Sequence, residues 1–453
     1  MKSLLLVILI LSQTALWAQN GRTTYVKGRI DDAKLQEIRI AVFEDYFSLK
    51  PNILAKAKIK DLQFKLEFNI DKPYVARLYG GLYDKQLILE PGMEYEVYVR
   101  NDSTQRLKIV QNNAGSEINK LYVDLLFHFD EFISKNDMKI VRGQYTKEIL
   151  QFTQNLKDSL QNEMKNPLIA DFINYRCAEL EIAGRAKSRS KIYVDYLYKE
   201  PIHIYGAEFM AFVKDFYGGY FYENYIKNSS EPIRNIIKNQ MGWTALSKAF
   251  DSIPYYGNKS DLRDLALLVG LSEALYDKDN FDPENIWFLF REAAKKNENE
   301  QIRIAATHFL EKYAPLEKGM ALPIIDIMDE KNKSLSLQTF IGKPIYLCFF
   351  DPFTETSTIE ISSLSYLYEK YKNSIHFVPV AVKASAYELQ EFKLGNGITL
   401  PLYRTENVED LIPFRIRSTI AFFTINAKGE FVNGNGPMPL FADSELEALS
   451  AGR

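Results

Sequence analysis

The tetrapeptide Thr354-Glu355-Thr356-Ser357 gathers three hydroxyls and a carboxylate within four residues. A hydroxyl acts as an acyl-transfer nucleophile only when a base and an orienting acid reach it. The histidine nearest in sequence, His376, lies inside the apolar run Ile375-His-Phe-Val-Pro-Val-Ala-Val382, where packing is the simpler role. The other use of such hydroxyls is to cap a helix. Ser357 with Glu360 fits the S-x-x-E capping box, which predicts Ser357 as the N-cap of a helix starting there. Other chemistry-bearing residues are sparse. His128, His203, His308 and His376 share no ligand spacing, so neither a metal nor another cofactor is expected. His128-Phe-Asp130 reads as a helix-surface pair, and Gly434-Asn-Gly436 lacks the strand–turn–helix setting of a phosphate loop. Cys177 falls in a helix-like segment and Cys348 in an apolar strand. Two separate buried thiols are the simpler reading, with a Cys177–Cys348 bridge as the alternative.

The elements around the tetrapeptide follow from hydrophobic period. Gly342-Lys-Pro-Ile-Tyr-Leu-Cys-Phe-Phe-Asp-Pro-Phe353 reads as a strand running into a loop. Ile361, Leu364, Leu367, Tyr368 and Tyr371 recur at helical spacing within Ile359 to Lys372. Ile375 to Val382 is a second strand, so the whole predicts a βαβ unit with a parallel pair and a right-handed crossover. These residues resemble the exported thioredoxin-like proteins of the TlpA/ResA type, whose pattern is roughly G-K-x-x-x-x-x-F-[FW]-A-x-W-C-x-x-C-x-x-E-x-P-x-L. Gly342, Lys343, Phe349, Phe350, Glu360 and Leu364 fall on it without a gap. Phe353 takes the tryptophan position, and Thr354 and Ser357 take the two cysteine positions.

Phe414 to Phe431 resembles the family's second segment, Y-x-V-x-G-T-P-x-x-F-x-I-D-x-x-G-x-[IV], through Thr419, Phe423, Ile425 and Gly429, with Asn426 for the aspartate. Ile420 stands where the family has a cis-proline. A non-proline cis bond costs about 3 kcal/mol, so a trans Thr419–Ile420 peptide is expected. The resemblance runs from about Leu322 to Leu449 and implies a thioredoxin-like α/β fold. Disulfide exchange requires a thiolate, made in this fold by lowering a cysteine pKa at a helix N-terminus. Threonine and serine cannot form a mixed disulfide, so the redox site is expected to be degenerate at Thr354, Ser357 and Ile420. A peroxiredoxin pattern P-x-x-x-T-x-x-C laid from Pro352 ends on Ile359 and fails.

The rest of the chain supplies two further regions. Between Tyr25 and Arg100, Ile38, Ile40 and Val42 share one face of an alternating run. Phe64, Leu66 and Phe68 do the same, as do Tyr95, Val97 and Val99, with turn signals at Asp31-Asp32, Lys50-Pro-Asn52, Asp71-Lys-Pro73, Gly80-Gly81 and Pro91-Gly92. That spacing predicts an antiparallel β-sandwich over residues 22–110. Its layout resembles the uncharacterised β-domain often found before exported TlpA-like modules. From Ala114 the period turns helical: Ile118, Leu121, Leu125 and Phe129 form one stripe, and Ile149, Phe152, Leu156 and Leu160 another. Asn166-Pro167 and Glu231-Pro232 read as helix starts, giving an all-α domain over 115–315 before the thioredoxin-like domain of 320–453. Twelve aromatic residues between Tyr193 and Tyr225 offer either a recognition platform or, since Phe209, Phe212, Phe216 and Tyr220 share helical spacing, a packed core.

Composition bounds the function. With 453 residues, 46% hydrophobic and 25% charged, the chain is multidomain and globular. A net charge of −3 and a pI near 6.0 exclude an electrostatic drive towards nucleic acid. Residues 1–18 read as a signal peptide whose apolar run is too short to span a bilayer and has no lipoprotein cysteine after it, so a periplasmic location with no stable membrane span is expected. Within the resemblance, the expected function is that of a redox-inactive scaffold or binding module of the bacterial envelope, holding a protein or peptide partner at Phe353, Thr354, Glu355, Thr419 and Ile420. The alternative is a thiol–disulfide oxidoreductase working through Cys348 or a partner's cysteine.

Overall fold

The computed structural model describes residues 22–31, 35–80, 83–99, 108–109, 115–227, 231–257, 259–405, 408–416 and 419–452. The leader read over residues 1–18, and Asp32, Gly81, Arg100 and Ala114 among the other sequence expectations, lie outside them. The chain divides into two compact units, 1–306 and 307–453.

The first unit opens with strands β1 (Arg22–Ile30), β2 (Glu37–Phe43), β3 (Pro51–Lys58), β4 (Gln63–Ile70), β5 (Tyr74–Gly80), β6 (Tyr83–Leu89), β7 (Glu94–Val99) and β8 (Lys108–Ile109). They form two four-stranded sheets, ordered β4-β1-β7-β8 and β3-β2-β5-β6. Alternation explains how the sheets meet. Phe64, Leu66 and Phe68, Tyr95, Val97 and Val99, and Ile38, Ile40 and Val42 all bury their side chains in one shared core. Strand direction departs from the wholly antiparallel expectation: β1 and β7 run parallel, Val26 beside Tyr95 and Gly28 beside Val97. Period-two burial is the same for either direction, so the pattern carries no signal for it. Gly28 permits the close approach, since a Cβ there would lie 2.2 Å from the Val97 carbonyl oxygen.

Helices follow: α1 (Gly115–Val141), α2 (Thr146–Ser159), α3 (Pro167–Ala183) and the short α4 (Arg189–Ile192), which runs into a π-helical segment, Tyr193–Tyr198. Next come α5 (Ala207–Tyr217), α6 (Tyr220–Lys227), α7 (Glu231–Lys238), α8 (Trp243–Ala249), α9 (Ser260–Ala274), α10 (Pro283–Lys296) and α11 (Glu300–Tyr313), within which the division between units falls. Asn166 caps α3 by accepting from the Leu168 N–H at 3.0 Å with Pro167 in the first turn, as its sequence signals. The aromatic segment is chiefly core. Phe209, Phe212, Phe216, Tyr217 and Phe221 are buried, while Tyr198, Tyr205 and Tyr222 reach solvent.

The second unit holds β9 (Asp326–Met328), β10 (Ser334–Ser336), β11 (Ile345–Phe350), α12 (Glu355–Tyr371), β12 (His376–Val382), α13 (Ala386–Gly395), β13 (Tyr403–Thr405), β14 (Ala421–Ile425), β15 (Phe431–Asn433) and α14 (Asp443–Ser450). Its sheet runs β10-β9-β13-β12-β11-β14-β15. β11 and β12 are parallel from Ile345 beside His376 to Phe350 beside Ala381, with α12 between them in sequence, which is the expected βαβ unit. β14 is antiparallel to β11. Every residue of β11 is buried because both sheet faces are covered. Tyr346, Cys348 and Phe350 pack with Ile361 and Leu364 of α12 and Leu446 of α14. Ile345, Leu347 and Phe349 join Val378, Val380, Phe414 and Phe423 on the other face. Upstream chain is laced to the β15 edge: the Gly319 N–H donates to the Phe431 carbonyl at 2.8 Å and the Leu322 N–H to Gly429 at 2.7 Å. Leu316 enters the core, and Arg415 donates to the Ala314 carbonyl at 3.2 Å.

Candidate functional site

The candidate site lies where β11 ends and β14 begins. The last pair of their ladder is Phe349 with Ala421, so the loop after Phe350 and the segment before Ala421 leave the sheet at the same end. Asp351 shapes the loop: its Oδ1 accepts from the Phe353 N–H at 2.9 Å and its carbonyl from the Thr354 N–H at 3.2 Å.

α12 starts one turn earlier than the sequence suggested. Thr354 is the N-cap, its Oγ1 accepting from the Ser357 N–H at 3.3 Å, and Ser357 lies inside the first turn. The capping-box expectation for Ser357 and Glu360 is therefore corrected. Both hydroxyls suit a cap, and the turn set by Asp351 brings Thr354 to the helix end first. Ser357 is fully buried instead, its Oγ accepting from the Asp351 N–H at 3.3 Å. The Thr354 Oγ1 lies 2.8 Å from the Ser357 Oγ. The two positions assigned to cysteines by the resemblance thus close on each other through a hydrogen bond. Among the described residues, no imidazole, amine or carboxylate hydrogen-bonds to either hydroxyl, so neither has a base to activate it.

The Thr419–Ile420 peptide is cis, which corrects the trans expectation. That expectation weighed only the intrinsic preference of a non-proline bond. Here the backbone path is set by tertiary packing, with Ile420 packed against the α12 side of the core and Ala421 entering the ladder beside Phe349. Of the candidate binding residues, Phe353 is 66% exposed, Thr354, Glu355 and Thr419 are exposed, and Ile420 is half-buried. Ile359, one turn along α12, is also exposed. The apolar Phe353 side chain therefore faces solvent and does not cover the core.

The thiols lie elsewhere. Cys348 is buried in β11, and burial, reinforced by the Glu360 carboxylate, pushes its thiol well above the ordinary range. Burial likewise pushes Cys177 up to about 12. Both are free, so the bridge alternative does not occur. His376 packs edge-on against Phe340 at 5.6 Å, and burial lowers its pKa. No group of three or more metal-ligating side chains occurs among the described residues, and no helix among them is long and apolar enough to cross a membrane.

No protein-family profile and no curated protein matches the chain. Solved structures similar to part of it include the thioredoxin domain of a thiol–disulfide oxidoreductase from Bacteroides vulgatus. It is 16% identical over 30% of this chain and 99% of that one, with a TM-score of 0.28. A thiol:disulfide interchange protein of the thioredoxin family from Chlorobium tepidum is 17% identical over 30% of this chain and 98% of its own, with a TM-score of 0.27. A secreted disulfide oxidoreductase of Mycobacterium tuberculosis is 19% identical over 28% and 96%, with a TM-score of 0.25. Each of these likenesses covers less than a third of this chain.

Proposed function

We propose that residues 320–453 form a redox-silent, thioredoxin-like binding module, and that the protein is exported and holds an extended polypeptide of the bacterial envelope. The observation that carries this reading is the Thr354–Ser357 hydroxyl pair, closed on itself at 2.8 Å with no base on either oxygen. Disulfide exchange needs an accessible thiolate, and the thiol of this module, Cys348, is buried and held protonated. Phe353, next to the pair in sequence, and Thr419, in the segment that leaves the same end of the sheet, are solvent-exposed and supply an apolar and a polar contact for a peptide there.

Two measurements test it. Insulin reduction by the purified protein should not exceed buffer, and replacing Cys177 and Cys348 by Ala should change nothing. Turnover abolished by Cys348→Ala would establish the oxidoreductase alternative. Crosslinking capture of envelope proteins should weaken for Phe353→Asp and for Thr419→Asp, with thermal unfolding nearly unchanged because both side chains face solvent. Ile420 is unsuited to this test, since it packs against the core. Capture that survives both changes would move the binding surface to another region.

A further inference from the structure

A cavity of about 350 Å³ opens among the helices of the first unit, walled by α2, α3, the π-helical segment Tyr193–Tyr198 and residues 199–203. π-Helical segments are rare and occur frequently at functional sites. This one contributes Asp195 and Tyr196 to the wall.

The charged groups of the cavity fall towards two ends, lysines predominating at one, where Asp195 is paired with Lys187, and carboxylates at the other. At one end, Lys157 Nζ donates to the Tyr196 Oη at 3.0 Å, and that hydroxyl donates to Glu181 Oε2 at 2.9 Å. Lys187 Nζ lies 2.8 Å from the same Glu181 oxygen and 3.3 Å from Asp195 Oδ2. Glu181 is buried and takes a further bond from the Thr153 hydroxyl at 2.9 Å, so from behind the wall it anchors the Lys187 ammonium directly and Lys157 through Tyr196. Lys199 stands exposed at the rim.

The other end is carboxylic. Asp171 Oδ2 lies 3.5 Å from His203 Nδ1, whose ring stacks on Phe209 at 4.3 Å between centroids. Burial lowers the His203 pKa to about 4, so Asp171 faces a neutral imidazole, and no lysine or arginine pairs with it among the described residues. Burial first, then Glu208 and Glu200, pushes the Asp171 carboxyl up to about 7. Gly206 leaves the room: a Cβ there would lie 2.4 Å from His203 Nδ1 and 2.8 Å from Asp171 Oδ2. Glu200 lines the cavity near Asp171 and Tyr175.

A purely anionic ligand would meet Asp171 and Glu200, and a purely cationic one would meet the lysines. A molecule with an ammonium at one end and a carboxylate at the other satisfies both, and a cavity of about 350 Å³ is at the small end of ligand pockets. We propose that this cavity binds a small zwitterion, a free α-amino acid or a dipeptide, its carboxylate at Lys157 and Lys199 and its ammonium at Asp171 and Glu200. Calorimetric titration of the whole protein with each proteinogenic amino acid and with glycylglycine tests this, using the N-acetylated and C-amidated forms as controls. At least one free-ended compound should bind, and blocking either end should weaken it by about tenfold or more. Asp171→Asn should weaken the free compound similarly but leave its N-acetylated form unaffected. Lys199→Ala, at an exposed position that cannot threaten the fold, should weaken the free compound and not its amide. Absence of binding across the series, equal binding of blocked and free forms, or indifference to Lys199→Ala would overturn the proposal.

Discussion

At the start of α12, a hydroxyl can do what a thiol does poorly: accept a backbone N–H firmly while offering little nucleophilicity at neutral pH. Thr354 takes the orphan N–H of Ser357, so Thr354→Ala should cost about 1 kcal/mol in urea unfolding. Ser357→Ala should cost about 1–2 kcal/mol by a different route, because it leaves the Asp351 N–H without the buried hydroxyl that accepts from it in a partly buried turn. A smaller loss for Ser357→Ala than for Thr354→Ala would reverse this assignment of roles. Asp171 gives a prediction that depends on pH. With its pKa raised from 3.8 to about 7, the folded protein holds a proton that the unfolded chain has released, so this residue's contribution falls as pH rises through that window. Asp171→Asn should therefore stabilise the protein at pH 8 by on the order of 2 kcal/mol, allowing for partial exposure, and by little at pH 3.5. His203 has the opposite sign: its lowered pKa means that its contribution is lost as pH falls from 6.5 towards about 4. Unfolding midpoints of the two proteins at both pH values check the sign for Asp171.

Gly270 shows how packing overrides local preference at the scale of an element. In the interior of α9, Gly→Ala ordinarily stabilises by about 1 kcal/mol. Here the added Cβ would lie 2.3 Å from the Phe221 Cβ and 2.5 Å from its Cγ, at a crossing with α6. Neither atom can move without shifting the α6 backbone or the buried ring, and overpacking typically costs about 1–3 kcal/mol. Gly270→Ala should therefore destabilise, with a lower midpoint in thermal unfolding as the readout. Such constraints mark the limit of what was legible along the chain. The faces of β2, β4 and β7, the Asn166-Pro167 helix start and the βαβ unit all follow from spacing within one segment, and each could be read directly. The parallel pairing of β1 with β7, the cis Thr419–Ile420 peptide and the earlier start of α12 depend on partners distant in sequence or on turn geometry, which periodicity does not encode. At the candidate site, the resemblance picked out the two segments that leave the sheet at the same end. The exposure of Phe353 and the contact between Thr354 and Ser357 were not legible.

Two buried thiols and no disulfide give the whole chain a redox-independent fold. Thermal unfolding should be the same with and without reductant, and a thiol reagent should find no reactive sulfhydryl in the native protein but both after denaturation. Rapid labelling of one thiol without unfolding would contradict the burial of Cys177 or Cys348. The lacing of residues 314–322 onto the β15 edge bears on how the second unit can be excised for study. A fragment beginning at 320 discards Leu316 from the core, the carbonyl that receives Arg415 and the Gly319 link to Phe431. It also uncovers Gly434, whose Cα faces the Leu316 carbonyl so closely that a Cβ would lie 2.3 Å from it. A fragment of 307–453 should therefore melt at a higher temperature than one of 320–453 and resist protease longer, the thirteen added residues serving as a sewn-on hem for an otherwise raw sheet edge.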